Sequence, residues 1–178
     1  IQKPEILLNA YDKLQRDIPD WKERLIVEFY GPDSPYFKLK IRNNFVEGCE
    51  YGGFVPHAQI AEKVVAADIG FFSLSGATYA YATPTKLFDY VEAGVPILAS
   101  LPEGAARDII ERFEIGLIAN VGDVVELSEK LCIMVENEHL RKQFKRNMDA
   151  ARKEFNSQRQ IEKFQEALAG MNMDCKPD

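Results

Sequence analysis

What this sequence lacks narrows the answer before any motif is read. No apolar run approaches the ~20 residues of a membrane-spanning helix, and Lys3, Glu5, Asp12, Lys13, Arg16, Asp17 and Asp20 rule a signal peptide out of the first twenty residues. Basic residues are outnumbered, 22 against 28 acidic, and the resulting net charge of −6 argues against a general nucleic-acid binder. Three cysteines, Cys49, Cys132 and Cys175, show no CxxC spacing and are joined by only two histidines. They read as reduced thiols of a cytoplasmic protein, with no zinc site expected.

The common nucleotide and hydrolase motifs are missing as well. There is no GxGxxG after a strand and no GxxxxGK[ST], so neither a dinucleotide fingerprint nor a P-loop is present. No Asp-x-Asp pair, HExxH or paired histidines occur, so no protein-held metal is expected. No GxSxG elbow presents a nucleophile.

What is there is an alternation of helical and extended segments in a chain of 178 residues, 46% of them hydrophobic, enough for the core of one domain. "KPEILLNAYDKLQRD" carries an amphipathic helical stripe at Ile6, Leu7, Ala10, Tyr11 and Leu14. Strands are read in "RLIVEFYG", more weakly in "FVEGCEYGGF", then in "IGFFSLS", "PILAS" and "GLIAN". Helices are read in "PHAQIAEKVVAA", from Pro84, in "EGAARDIIERF", and over 123–136 and 138–168. "IGFFSL" and "PILA" are continuous apolar runs, as expected of strands covered on both faces. The pattern predicts an α/β, Rossmann-like doubly wound parallel sheet with helices on both faces. The tail 169–178 reads as a flexible end. The chain has no initiator methionine and enters a helical pattern almost at once, so it is read as a fragment or as a chain whose leading residues are absent. In such a fold the strand before the first helix is normally central, and the gap has to be filled by preceding residues or by another segment.

One segment raises a chemical question. In "YATPTKLFDYVEAGVPILAS", Thr83 is read as the N-cap, Pro84 as the first helical residue and Lys86 as the third. A lysine there faces the positive end of the helix dipole, which is unfavourable unless an anion joins it. Helix N-termini hold phosphates readily, and loop 73–83, rich in small and hydroxylated residues, would deliver this terminus to the carboxyl rim of the sheet. Asp89, one turn on, could then accept from sugar hydroxyls. The other account is a surface ion pair between Lys86 and Asp89, and on spacing alone that is the simpler one. His57 is read as helping to begin its helix, Tyr79 and Tyr81 as packing against the domain, Glu92 as a solvated helix residue and Asp68 as structural.

"TPTKLFDYVEAGVPILA" resembles the donor-site helix and strand of GT-B fold glycosyltransferases of the family-4-like group (glycosyl transferases group 1). "GGFVPHAQIAEKVVAADIGFF" and "LPEGAARDIIERFEIGLIANVGDVVELSEKL" are similar to neighbouring segments of the same family, in the same order. The resemblance implies that residues 1–168 form the C-terminal nucleotide-sugar-binding domain, with an N-terminal acceptor-binding domain absent from the chain. It assigns the donor diphosphate to Lys3, Pro84, Thr85, Lys86 and Leu87, the ribose to Asp89 and the base to Val55 and Pro56. It assigns no catalytic residue, no metal and no cofactor beyond the nucleoside diphosphate sugar itself.

The implied reaction is hexosyl transfer from a UDP- or GDP-sugar to an acceptor hydroxyl, retaining and metal-independent, in polysaccharide or glycoconjugate biosynthesis. Membrane contact, peripheral at most, would come through the missing domain, and the isolated domain would be inactive. Many members of the family carry Glu at the Asp89 position with a second Glu eight residues earlier; this chain has Tyr81 at that second position. Two other readings stand beside this one: half of a nucleotide-sugar epimerase, and a catalytically silent nucleotide-binding or interaction module.

Overall fold

The computed structural model describes residues 4–32, 35 and 46–171. Helix α1 (Glu5–Asp17) buries Leu7, Leu8, Ala10, Tyr11 and Leu14, the apolar stripe of its sequence. A 3₁₀ turn over Pro19–Glu23, not anticipated from the sequence, buries Trp21 completely beneath it. Strands β1 (Val27–Tyr30) and β2 (Cys49–Gly53) follow, then helix α2 (His57–Val65). The rest alternates: β3 (Gly70–Ser73), α3 (Thr85–Ala93), β4 (Ile97–Ser100), α4 (Ala105–Phe113), β5 (Gly116–Ala119) and α5 (Val124–Glu136). Helices α6 (Glu138–Phe155) and α7 (Ser157–Met171) close the described part.

Every described strand pair is parallel. Strands β3, β4 and β5 lie side by side in that order, with Phe72 opposite Ala99 and Ala99 opposite Ile118. Alternate side chains leave opposite faces, as a strand period of two requires. Phe72, Ile97, Ala99 and Ile118 enter a cluster with Leu87 and Val91 of α3, Ala106 and Ile110 of α4, and Met148 and Ala151 of α6. Leu98 and Ala119 enter the other cluster, with Leu7, Tyr11 and Leu14 of α1 and Leu127, Leu131 and Met134 of α5. Helices thus cover both faces of this sheet, which is why "PILA" reads as an unbroken apolar run and why β4 is buried throughout. The doubly wound Rossmann-like architecture expected from the alternation is the one observed.

The sheet is in two parts. Among the described residues β1 pairs only with β2 and no strand hydrogen-bonds β1 to β3, although Val27 of β1 and Leu98 of β4 share one hydrophobic cluster with residues of α1.

One helix boundary departs from the sequence reading. The single helix expected over 138–168 breaks at Asn156, whose extended backbone (ψ 152°) ends α6, while its side-chain oxygen accepts from the Arg159 N–H at 2.8 Å and caps α7. An asparagine in the middle of an apolar periodicity competes for backbone hydrogen bonds, and here it wins. Helix α7 continues to Met171, and residues 172–178 of the expected tail lie outside the described part.

Candidate functional site

Parallel strands joined by crossover helices put every strand's carboxyl end, and every following helix's N-terminus, on one rim. Chain segments leaving β2, β3, β4 and β5 therefore share that rim. The one leaving β3 passes through a 3₁₀ turn at Ala77–Tyr79 and reaches α3 at Pro84.

Pro84, rather than Thr83, is the N-cap. Its ψ of 144° keeps it outside the helix, no side chain caps this end, and Thr85 and Lys86 become the first and second helical residues. Lys86 thus sits one position nearer the helix end than its spacing suggested, since the proline's fixed φ suits either position and only ψ decides. The Leu87 N–H donates to the Pro84 carbonyl at 3.0 Å, and the Leu87 side chain is fully buried in the core. Leu87 therefore anchors the turn, and Thr85 and Lys86 are the residues that open the helix.

Lys86 itself is exposed, yet enough protein crowds its ammonium to push its pKa below the ordinary lysine value by desolvation; the Asp89 carboxylate, one turn on and also exposed, pulls it partly back. Desolvation outweighs the nearby carboxylate, so the surroundings as they stand favour the neutral amine over the cation more than water does.

Helix α2 packs against α3. Val55 is half-buried, and the exposed Pro56 is the N-cap of α2. Val55 and Pro56 thus lie at the start of α2, and Pro84, Thr85, Lys86 and Asp89 in the first turns of α3. Lys3 lies outside the described residues, as does the side chain of His57. Tyr79 packs against the core as expected, but Tyr81 does not and projects into solvent. Asp68 and Glu92 are exposed.

Next to this rim, a recess of ≈ 80 Å³ is lined by Ser73, Leu74 and Ser75 after β3, Ser100 of β4, Val121 and Gly122 after β5, and Ile6 of α1. Pockets that enclose a drug-sized ligand measure about 300–1,000 Å³, so this recess has room for one small group and a nucleotide would lie across the open rim.

Two features escaped the sequence reading, one on the rim and one at the opposite end of α3. Arg107 of α4, largely buried, donates to the Leu101 carbonyl and to Asn120 Oδ1, each at 3.0 Å. The Asn120 N–H in turn donates to Glu126, whose carboxyl is held below its usual range first by that backbone bond and then by Lys130. Asp123 caps α5 by accepting from the Glu126 N–H at 2.8 Å, and this Asp-x-x-Glu spacing was readable as a capping box. The second feature is Arg152 of α6, whose Nε donates to the Val91 and Glu92 carbonyls at 2.9 and 3.1 Å and so closes the C-terminal end of α3. Partners 60 residues apart leave no local signal.

Among the described residues no three His, Cys, Asp or Glu side chains cluster as a metal site, and no helix is long and apolar enough to cross a membrane.

The sequence profile of the family described as glycosyl transferases group 1 matches residues 2–151. No curated protein sequence matches the chain. Among solved structures, the chain is similar to a point mutant of S. aureus TarM in complex with Fondaparinux, alpha-GlcNAc-glycerol and UDP, with a TM-score of 0.72 at 13% identity, over 92% of this chain and 32% of that one. It is similar to the pneumococcal O-GlcNAc transferase GtfA in complex with UDP and GlcNAc, with 0.66 at 15%, over 97% and 34%. A third is the catalytic domain of cholesterol-alpha-glucosyltransferase from Helicobacter pylori, with 0.67 at 16%, over 86% and 91%. The chain spans about a third of the length of the first two, and at these identities the likeness is one of fold.

Proposed function

The chain belongs to the glycosyl transferases group 1 family, and from that membership we propose that it binds a nucleoside diphosphate sugar as the donor half of a glycosyltransferase of GT-B fold. The observation that carries this reading is Lys86: a cation in the first turn of α3, at the positive end of a helix dipole and pushed below its usual pKa by desolvation. A diphosphate reverses that balance. Its charge would accept from the amides of Thr85 and Lys86, restore the ammonium and use the dipole that otherwise opposes it. Pro84 sets where this helical end starts.

Asp89 would take the ribose hydroxyls from the next turn of the same helix. Val55 and Pro56, at the start of the neighbouring α2, would border the base. In the transfer step the bond from the anomeric carbon to the distal phosphate breaks and the departing diphosphate gains negative charge. The α3 terminus and Lys86 would stabilise that charge without a metal. The hexosyl group would pass to an acceptor hydroxyl oxygen while the hydroxyl proton passes to the departing diphosphate, with retention at the anomeric carbon. An acceptor-binding domain beyond these residues would complete the enzyme and exclude water on closure. UDP in the two similar structures supports a nucleotide donor, and UDP- and GDP-sugars are the candidates.

The test is isothermal titration of the purified chain with UDP, GDP and ADP in EDTA, repeated with Lys86→Ala. Binding that survives EDTA and weakens at least roughly tenfold in the variant is expected. Equal affinities for chain and variant would remove the site from α3, and no binding of any nucleotide would count against the donor role.

A further inference from the structure

We propose that Asn120 contacts substrate at the carboxyl rim: its side-chain amide donates to an oxygen of a neutral glycosyl group seated over the recess beside β5, and Arg107 positions that amide. The inference rests on the reading of the chain as the donor half of a glycosyltransferase. Asn120 is the first residue after β5 and is exposed. Its backbone is nevertheless fully engaged. The N–H donates to Glu126 at 2.7 Å, and the carbonyl accepts from the Asp123 N–H at 3.1 Å and from Ser100 Oγ at 3.3 Å. Its side-chain oxygen accepts from Arg107 Nη2 at 3.0 Å. A guanidinium carries donors only, so the amide must present its oxygen to Arg107 and turn its NH₂ group away. That NH₂ group has no partner among the described residues.

Stability alone does not account for Arg107. Its side chain is 12% exposed, and its Nε is buried without a partner among the described residues. A buried donor left unsatisfied costs free energy, and an aliphatic side chain would fill the space without that cost. What the arginine adds is a fixed orientation of the Asn120 amide.

The recess identifies what meets that amide. Ser100, which bonds the Asn120 carbonyl, and Val121 and Gly122, which follow Asn120, line it together with Ser73, Leu74 and Ser75. The amide nitrogen is separated from its own Cα by Cβ and Cγ alone, so it stays at the border of the recess in every rotamer. The wall from Ser73 to Ser75 belongs to the segment that runs on to α3, so the recess and the diphosphate helix share one loop. At ≈ 80 Å³ the recess takes one small group. Serine hydroxyls stand there beside apolar side chains, which suits the hydroxyl edge and C–H face of a pyranose. The cations of this corner are already matched: Arg107 Nη1 lies 3.5 Å from both Glu103 and Glu111, and Lys130 lies 2.8 Å from Glu126. An anionic group would meet those carboxylates, whereas a neutral group with hydroxyls meets an unused donor. Two sources offer that chemistry, the sugar of the donor and the sugar of an acceptor.

The side-chain amide signal of Asn120, identified by its loss in Asn120→Asp, can be followed by heteronuclear NMR. The chain is titrated with UDP, UDP-glucose and UDP-N-acetylglucosamine, with GDP and GDP-mannose, and with the methyl glycosides of glucose and N-acetylglucosamine in the presence of UDP. The signal should move with a glycosyl-bearing probe and stay with the bare nucleotides. Movement with the sugar nucleotides assigns the group to the donor, and movement with the methyl glycosides assigns it to an acceptor. Asn120→Asp keeps an oxygen toward Arg107 and removes the donor, so its calorimetric affinity for that probe, relative to UDP or GDP, should fall about fivefold. Arg107→Ala should lose a similar factor, and Arg107→Lys, which can still donate to the amide oxygen, should recover part of it. If Arg107→Ala does not fold, Asn120→Asp decides alone. A signal that no glycosyl probe moves overturns the proposal, as does an unchanged affinity ratio in Asn120→Asp. Equal losses in Arg107→Ala and Arg107→Lys overturn the positioning role. Failure of the unsubstituted chain to bind either UDP or GDP overturns the donor-half reading itself, and this inference with it.

Discussion

Replacing Arg152 with alanine should loosen the far end of the helix that carries Lys86, and the structure gives the size of the effect. Helix α3 ends at Gly94 in the left-handed conformation (φ 72°, ψ 30°), where the Gly94 N–H donates to the Val91 carbonyl and the Val95 N–H to the Tyr90 carbonyl. Arg152 Nε adds a second donor at Val91 and one at Glu92, and its Nη1 pairs with Asp149 at 2.7 Å. Hydrogen bonds from a charged donor contribute about 1.5–3 kcal/mol when well buried. The Arg152 side chain is 33% exposed, so screening selects the low end, and Arg152→Ala should cost about 1.5 kcal/mol.

Gly94→Ala should cost about 1 kcal/mol for the left-handed backbone. Its new Cβ would also stand 2.6 Å from Arg152 Nη2, displacing the guanidinium and removing part of the same bonding, roughly another 1 kcal/mol. The double variant loses that bonding once, so its cost should be about 2.5 kcal/mol against about 3.5 for the sum of the singles, a coupling near 1 kcal/mol. Urea unfolding followed by circular dichroism measures all four proteins, with midpoints shifting at constant slope. Additivity within about 0.5 kcal/mol would refute the contact between residues 94 and 152 as the origin of the effect.

Nucleotide affinity should fall with rising pH at lower pH than an ordinary lysine would dictate, because Lys86 is desolvated and loses its proton early; titrations across the alkaline range in the chain and in Lys86→Ala check this, and a pH profile shared by both would contradict it. Burial pushes Cys49 up to about 12 from 9.0, and Tyr90, bonded to the Phe71 carbonyl at 3.0 Å, up to about 12 from 10.0. Both are neutral in the folded chain at pH values where they ionise in the unfolded one, so their contribution is complete below about pH 9 and is lost between about 9 and 12. Stability should therefore drop steeply over that window, and native Cys49 should resist iodoacetamide at about pH 8 until the chain is unfolded. Gly116→Ala should be severely destabilising, since its Cβ would lie 2.0 Å from the Ile97 carbonyl oxygen inside the β4–β5 pairing; a soluble variant with an unchanged thermal midpoint would contradict the strand register.

Much of the architecture was legible because its signals are local. The stripe of α1, the apolar runs of β3 and β4 and the Pro-Thr-Lys start of α3 each announce themselves within a few residues, and the resemblance to glycosyl transferases group 1 rests on the same stretches. The errors were of two kinds. Asn156 and Pro84 sit at boundaries where a cap competes with helix continuation by a small margin of free energy, so pattern alone placed them wrongly or left them unread. The buried Trp21 turn gives no periodic signal, since one 3₁₀ turn is shorter than any repeat.

The sequence by itself determined that this is an α/β chain with strands buried on both faces and a lysine placed against a helix dipole, because periodicity and charge are properties of neighbouring residues. Only the tertiary structure decided that α2 packs against α3, that Arg152 closes α3 from 60 residues away, that Tyr79 is packed while Tyr81 is held in solvent, and that desolvation outweighs Asp89 at Lys86. Each of these depends on atoms brought together by the sheet rather than by the chain, and burial, unlike periodicity, is settled only when the whole core has closed.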